Sequence, residues 1–218
     1  MLNVVKLGIC KSLHFLQMNE EKVYEEEIAL FEQIYENHIK NAEGETIPYS
    51  YDIPKSKFLN YLLSNKNLLV HGSTHSDIKQ FEPRSSTLFT GKPINAVFAS
   101  TDAMWSIFFA VIDKNVYKGS LRNICITATT KKGIRRFYYF SLEEYSSTVW
   151  SPGMIYLLPK DKFKQGGIST EWVSETVVQP IAKIEISPSD FIFKERVKQH
   201  HRHEPVTKSW FRALLLNK

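Results

Sequence analysis

The chain has 218 residues, a hydrophobic fraction of 43% and two cysteines, Cys10 and Cys125. That is enough apolar sequence for one sizeable core or two small ones, and too few cysteines for a disulfide framework or a four-cysteine zinc site. The formal net charge of +5 favours anionic partners such as nucleotides or nucleic acid without naming one.

The segment 20–42 predicts a helix. Tyr24, Ile28, Phe31 and Tyr35 recur at helical spacing beside Ile34 and Ile39, the opposite face is mostly acidic, and Glu25, Glu26 and Glu27 suit the positive end of a helix dipole. Gly44 is the expected stop. After a loop with Pro48 and Pro54, the segment 55–64 predicts a second helix that buries Phe58, Tyr61 and Leu62. From Leu68 the pattern changes to strands. Leu68-Leu69-Val70-His71-Gly72-Ser73 reads as a buried strand that stops in a histidine, a glycine and a hydroxyl, and Ala96-Val97-Phe98-Ala99 as a short buried strand. Ser100-Thr101-Asp102 offers an N-cap for a helix to about residue 112. Strands follow over 123–130, 135–141, 154–158, 172–178 and 181–186, with a hairpin turn at Lys131-Lys132-Gly133 and a bend at Pro180. A helix near Pro188 and another over 207–215 close the pattern.

Helices grouped around mostly non-alternating strands predict an α+β fold. Residues 1–66 form a helical N-terminal extension packed on a core of residues 67–218. No apolar run approaches a membrane span, and no apolar h-region is followed by a small-residue cleavage site, so a cytoplasmic protein with no membrane partner is expected. Export without a signal peptide would leave no mark in the sequence.

Several chemical signatures are missing: a Walker A loop, G-x-G-x-x-G, G-x-S-x-G and H-E-x-x-H. No metal is expected. His200-His201-Arg202-His203 has a metal-like composition but no spaced partner ligand, and reads as a solvated helix end. His71 and His75 are separated by a turn at Gly72 that works against shared coordination. The basic segments Lys131-Lys132, Arg135-Arg136 and 194–202 read as solvated surface, or as a path along a phosphate backbone. Trp150 reads as core packing or the wall of a cleft.

The end of the first strand is suited to a polar ligand. Gly72 lets another molecule approach the backbone, and His71 and Ser73 offer hydrogen-bonding groups beside it. Taken alone, it reads first as a strand-to-turn junction with a capping Ser. Three segments in order strengthen the reading: Leu69-Val70-His71-Gly72-Ser73; Val97-Phe98-Ala99 with Ser106, Phe108 and Phe109 on the following helix; and Glu171-Trp172-Val173-Ser174. Together they resemble the ADP-ribosyltransferase superfamily, on its diphtheria-toxin and poly(ADP-ribose) polymerase side, over roughly residues 68–186.

The resemblance implies a split β-sheet domain and NAD as substrate. It implies that His71 bonds the adenine-side ribose, and that the Gly72 backbone holds the nicotinamide carboxamide with help from Ser106. Phe109 would lie against the nicotinamide ring, and Glu171 would stabilise positive charge as the glycosidic bond breaks. Ser73 sits in the same motif, and Arg84 is the nearest basic group for the pyrophosphate. Such a transition state is oxocarbenium-like, which a fixed carboxylate stabilises. Glu175 is the rival carboxylate, four residues on and on the same face of an extended strand. Val97 departs from the family, which has Tyr there, leaving an H-x-E pattern. The implied activity is mono-ADP-ribosyl transfer to an acceptor, protein or nucleic acid, that the sequence does not name. Two alternatives stay open: a non-catalytic nucleotide- or ADP-ribose-binding module on the same fold, and a relative of the RNA 2′-phosphotransferases.

Overall fold

A computed structural model describes residues 8, 10, 12, 15–19, 22–130, 133–143 and 147–202. The chain is mixed α and β, and it divides into two compact, interleaved units. One comprises residues 1–22, 114–149 and 192–218; the other comprises residues 23–113 and 150–191. The sequence-based boundary after residue 66 does not coincide with this division: residues 23–66 share a unit with 67–113 and 150–191. No helix among the described residues is long and apolar enough to cross a membrane.

In the first unit, strand β1 (Leu16–Asn19) pairs antiparallel with the edge of a long hairpin. The hairpin is β6 (Leu121–Thr130) and β7 (Gly133–Glu143), in register from Leu121↔Leu142 to Thr130↔Gly133. Gly133 has φ +99°, as the expected tight turn requires, while Lys131 and Lys132 lie outside the described residues. The short strand β12 (Lys198–His200) pairs parallel with the end of β7. His200 is therefore a strand residue and is buried, against the expected solvated helix end. Its ring nitrogens meet Ser141 Oγ at 2.8 Å and Ser120 Oγ at 2.9 Å, and Ser120 Oγ donates to Glu143. The expected helix over 207–215, like His203, lies outside the described residues.

In the second unit, three helices and a sheet are built around one contact. Helix α1 (Glu25–His38) begins where the Tyr24 N–H donates to Glu27. It buries Phe31 and Ile34 but leaves Tyr24 and Ile28 exposed, so the apolar stripe is shorter than its spacing suggested. Glu27 and Glu32 are not simply solvated. They take Lys57 and Lys66 of helix α2 (Lys55–Asn65) as ion-pair partners, and those lysines hold both carboxyls below their ordinary range. Phe31 packs on Phe58 and Tyr61 with ring centroids 5.2 and 5.3 Å apart. Phe31 and Phe58 are fully buried, each contributing roughly 2 kcal/mol, whereas Tyr61, expected to be buried, is only half-buried.

The sheet runs β2-β11-β8-β3-β5-β10-β9, with β4 also paired to β5. Its strands are β2 (Glu45–Thr46), β3 (Leu68–Ser73), β4 (Arg84–Thr87), β5 (Pro93–Ser100), β8 (Gly153–Pro159), β9 (Lys164–Gln165), β10 (Glu171–Ser174) and β11 (Ala182–Ile186). β10 ends four residues early against the 172–178 expectation, because the Ser174 hydroxyl turns back on Thr176. Gly44, at φ +100°, does not end α1 directly. It makes the turn into β2, where its N–H donates to Ile181. The helix expected near Pro188 is a single 3-10 turn, Pro188–Asp190.

Helix α3 (Ala103–Ala110) is capped by Asp102, whose side chain accepts from the Trp105 N–H at 2.8 Å. The helix lies flat on β3 and β8. A Cβ on Gly72 would sit 1.9 Å from the Ser106 carbonyl oxygen, and one on Gly153 would sit 1.9 Å from that of Ala110. No side chain fits at either point. We therefore expect Gly72→Ala to cost at least about 2 kcal/mol of stability by overpacking, read as a lowered urea midpoint. An unchanged midpoint would mean that α3 is not seated on β3.

Candidate nucleotide-binding site

Strands alternate the faces of their side chains. With Gly72 and Val70 turned to α3, Leu69 and His71 face the other side. There Leu69 joins Val97, Ala99, Tyr156 and Leu158 in a buried cluster roofed by Phe81, Phe163 and Val178. His71 is the first polar group of that row, and Ser73 ends it. Its neighbour across β8 is Tyr156.

β3 and β5 meet at one register point, Val70↔Ser100, and then part. His71 bridges the opening. Its Nδ1 lies 2.7 Å from the Phe98 carbonyl oxygen, so Nδ1 carries the proton and Nε2 is left as an acceptor. Burial pushes the imidazole below its ordinary range. The bond to Phe98 works against that shift, and the Arg84 charge adds to it. The ring also packs on Phe81 at 4.7 Å.

A cavity of about 640 Å³ occupies the fork. Its walls include His71 and Ser73 from β3, Arg84, Ser85 and Ser86 around β4, and Ala96, Val97 and Phe98 from β5. The connection between β3 and β4 closes it with His75, Asp77, Ile78, Gln80, Phe81 and Glu82. Tyr156 holds this connection in place: its hydroxyl donates to the His75 carbonyl at 2.6 Å and accepts from the Ile78 N–H at 3.1 Å. Its polar groups of both signs over an apolar floor suit a ligand with hydroxyls, an anionic group and a flat face.

Three of the sequence-predicted residues, His71, Ser73 and Arg84, thus line one cavity. Gly72, Ser106, Phe109 and Glu171 are not part of its lining. Gly72 gives its bare face to α3. Ser106 is buried on α3, and Phe109 is half-buried there beside Trp105 and Phe108. Glu171 opens β10 opposite Ser100, the same residue that pairs with Val70. By register it shares a face with Val70 and Ser100, opposite to that of His71. It is only 6% exposed, whereas Glu175 lies beyond the strand, exposed and paired with Lys164. The Glu171 carboxylate accepts from the Gly167 N–H at 2.6 Å and the Phe89 N–H at 3.1 Å. On either side of it, Thr170 Oγ1 and Trp172 Nε1 are buried with no hydrogen-bond partner.

Trp150 packs on Phe191 at 5.9 Å. No group of three or more His, Cys, Asp or Glu residues able to hold a metal occurs among the described residues. The polar wall from His75 to Glu82 escaped the sequence reading because it has no periodicity. The Gly166-Gly167 pair just before a buried Glu was the available signal for the carboxylate's surroundings. Comparisons with family models, curated proteins and solved structures returned no match.

The His71 environment sets a pH dependence. A depressed imidazole contributes stability that is fully present above the unfolded value of about 6.5. It is lost as pH falls below that value, because the unfolded chain takes a proton that the folded site refuses. The melting temperature should therefore drop more for the wild type than for His71→Gln between pH 7.5 and 5.5 (roughly one pH unit on either side of 6.5). Equal drops would show that His71 is not held neutral.

Proposed function

We propose that this chain is an NAD-dependent mono-ADP-ribosyltransferase built on an ADP-ribosyltransferase-like split sheet. The supporting observation is the convergence of three segments, drawn from residues 68–73, 93–110 and 171–174, on adjacent strands in the order β3-β5-β10. Ser100 pairs with both Val70 and Glu171. This brings residues a hundred positions apart within about 10 Å, two strand spacings. The parting of β3 from β5 around a cavity, after their single pairing at Val70↔Ser100, supports the split-sheet reading.

In this reading His71 Nε2 accepts a ribose hydroxyl, Arg84 meets the pyrophosphate, and Ser73 supplies a further hydroxyl. The bond from the nicotinamide-side ribose carbon to the ring nitrogen breaks, and nicotinamide leaves with the electron pair. The Glu171 carboxylate stabilises the developing positive charge. An acceptor nucleophile then attacks that carbon and gives up its proton. Gly72 and Ser106 contribute by seating β3 against α3.

A second reading, a non-catalytic binding module for NAD or ADP-ribose, draws on one observation. The Glu171 carboxylate lies on the face opposite His71 and is already bonded to two backbone amides.

Calorimetric titration of NAD tests the site without an acceptor. We expect saturable binding, weakened about tenfold or more in His71→Ala by loss of a buried hydrogen bond. No binding at millimolar NAD would overturn the transferase reading, and no binding of ADP-ribose either would overturn both. For binding protein, Glu171→Gln should cut nicotinamide release about a hundredfold while NAD affinity stays within about threefold. Wild-type binding with no release, whatever acceptor is offered, would decide for the binding module.

A further inference from the structure

The two amides on Glu171 come from two tight loops, each closed by its own backbone. One is the β4–β5 turn, where the Gly91 N–H donates to the Leu88 carbonyl at 2.8 Å and the Leu88 N–H to that of Lys92 at 2.9 Å. Gly91 has φ +85° there. The other is the connection from β9 to β10. It folds back on Glu171 itself: the Gly166 N–H donates to the Glu171 carbonyl at 2.8 Å, and the Glu171 N–H to Ile168 at 3.1 Å. The two loops touch at Gly167, where a Cβ would lie 3.0 Å from the Thr90 backbone nitrogen and 3.2 Å from Glu171 Oε1. A Cβ there would press on both the neighbouring turn and the carboxylate, each of which would have to give by a few tenths of an ångström.

We propose that Gly167 and the backbone amide of Phe89 are positioning residues for Glu171: two rigid loops aim N–H groups at one carboxylate and fix its orientation before substrate arrives. The inference rests on the transferase reading. A charged acceptor takes strong, directional bonds from amides, and two donors from separate loops define both the place and the plane of the group. Oε1 accepts from both amides, at 2.6 and 3.4 Å, while Oε2 accepts from Phe89 alone at 3.1 Å and keeps a lone pair for a ribose hydroxyl or for developing positive charge.

The turn permits a narrow test. Phe89 occupies the second position of the Leu88–Gly91 turn, where proline is favoured and needs no N–H. Phe89→Pro therefore keeps the turn, deletes one donor and puts the ring Cδ where the amide hydrogen met the carboxylate, so that Glu171 loses its aim, and Phe89→Ala keeps the donor and deletes the ring. In nicotinamide release from NAD, we expect Phe89→Pro to lower kcat about tenfold to a hundredfold. KM and the calorimetric Kd for NAD should stay within about twofold, and Phe89→Ala should stay within about threefold of wild type in kcat. Equal losses in both variants would assign the effect to the ring. An unchanged or faster Phe89→Pro would make the turn irrelevant, or a latch, and either result overturns the proposal. If Phe89→Pro does not fold, Gly167→Ala takes its place: a fall in kcat at constant Kd supports the proposal and an unchanged kcat overturns it. A wild type that binds NAD but never releases nicotinamide would sink the transferase reading and this proposal together; release by the wild type with no effect in the variants would sink this one alone.

Discussion

The seat of α3 on β3 and β8 is the constraint from which the site follows. At Gly72 and Gly153 helix backbone meets strand backbone, with the Ser106 and Ala110 carbonyl oxygens where side chains would otherwise stand. That contact assigns one face of β3 to the helix. Alternation then leaves no choice about His71: it must point to the other face, at the open end of the row begun by Leu69. The bare backbone at Gly72 invites a reading as an approach path for a ligand. In the fold, a helix occupies that approach on one face, and the open side of β3 is the one His71 commands.

The second consequence is the fork. β3 is held on one edge by β8 along its full length, from Leu68↔Pro159 to Ser73↔Met154, and on the other by β5 at a single point. A strand secured on one edge can leave its neighbour on the other without losing its place. The polar price of parting is small here, because the His71 imidazole takes the Phe98 carbonyl that the missing ladder would have used. The same side chain that would meet a ligand therefore also satisfies the backbone at the opening. Its Nδ1 is committed to the fold and its Nε2 is left as an acceptor.

Much of this was legible in the sequence where one local rule decides the outcome. The run Leu68–Ser73 forms β3 with the expected bounds and Asp102 caps α3, while the strand expected over 172–178 forms as β10 only at Glu171–Ser174. The failures share a cause: the deciding interaction is not local. β4 is Arg-Ser-Ser-Thr, fully exposed and without apolar alternation, and it becomes a strand only because β5 offers it an edge. Tyr24 and Ile28 keep helical spacing but stay exposed; what α2 brings to Tyr24 is the Lys57 ammonium over its ring, not an apolar side chain. His200 is drawn into a strand by β7 and by two serines that are distant in sequence. The division into units is the extreme case. Each unit gathers separated stretches of chain, and no composition shift marks where the chain passes from one to the other.

The charge of the chain also divides differently from what its total suggests. A net +5 invites the idea of a basic pocket. The cavity itself carries one arginine, Arg84, against the two carboxylates of Asp77 and Glu82, and burial keeps His71 neutral. An anion entering there gains little from the average field. Its binding must come from directed contacts: the Arg84 guanidinium, the hydroxyls of Ser73, Ser85 and Ser86, and the Nε2 acceptor. Such a site selects by the placement of donors and acceptors. A polyanion would meet two like charges there for each opposite one. The excess positive charge on the rest of the chain then acts at longer range, raising the local concentration of anionic ligands without choosing among them.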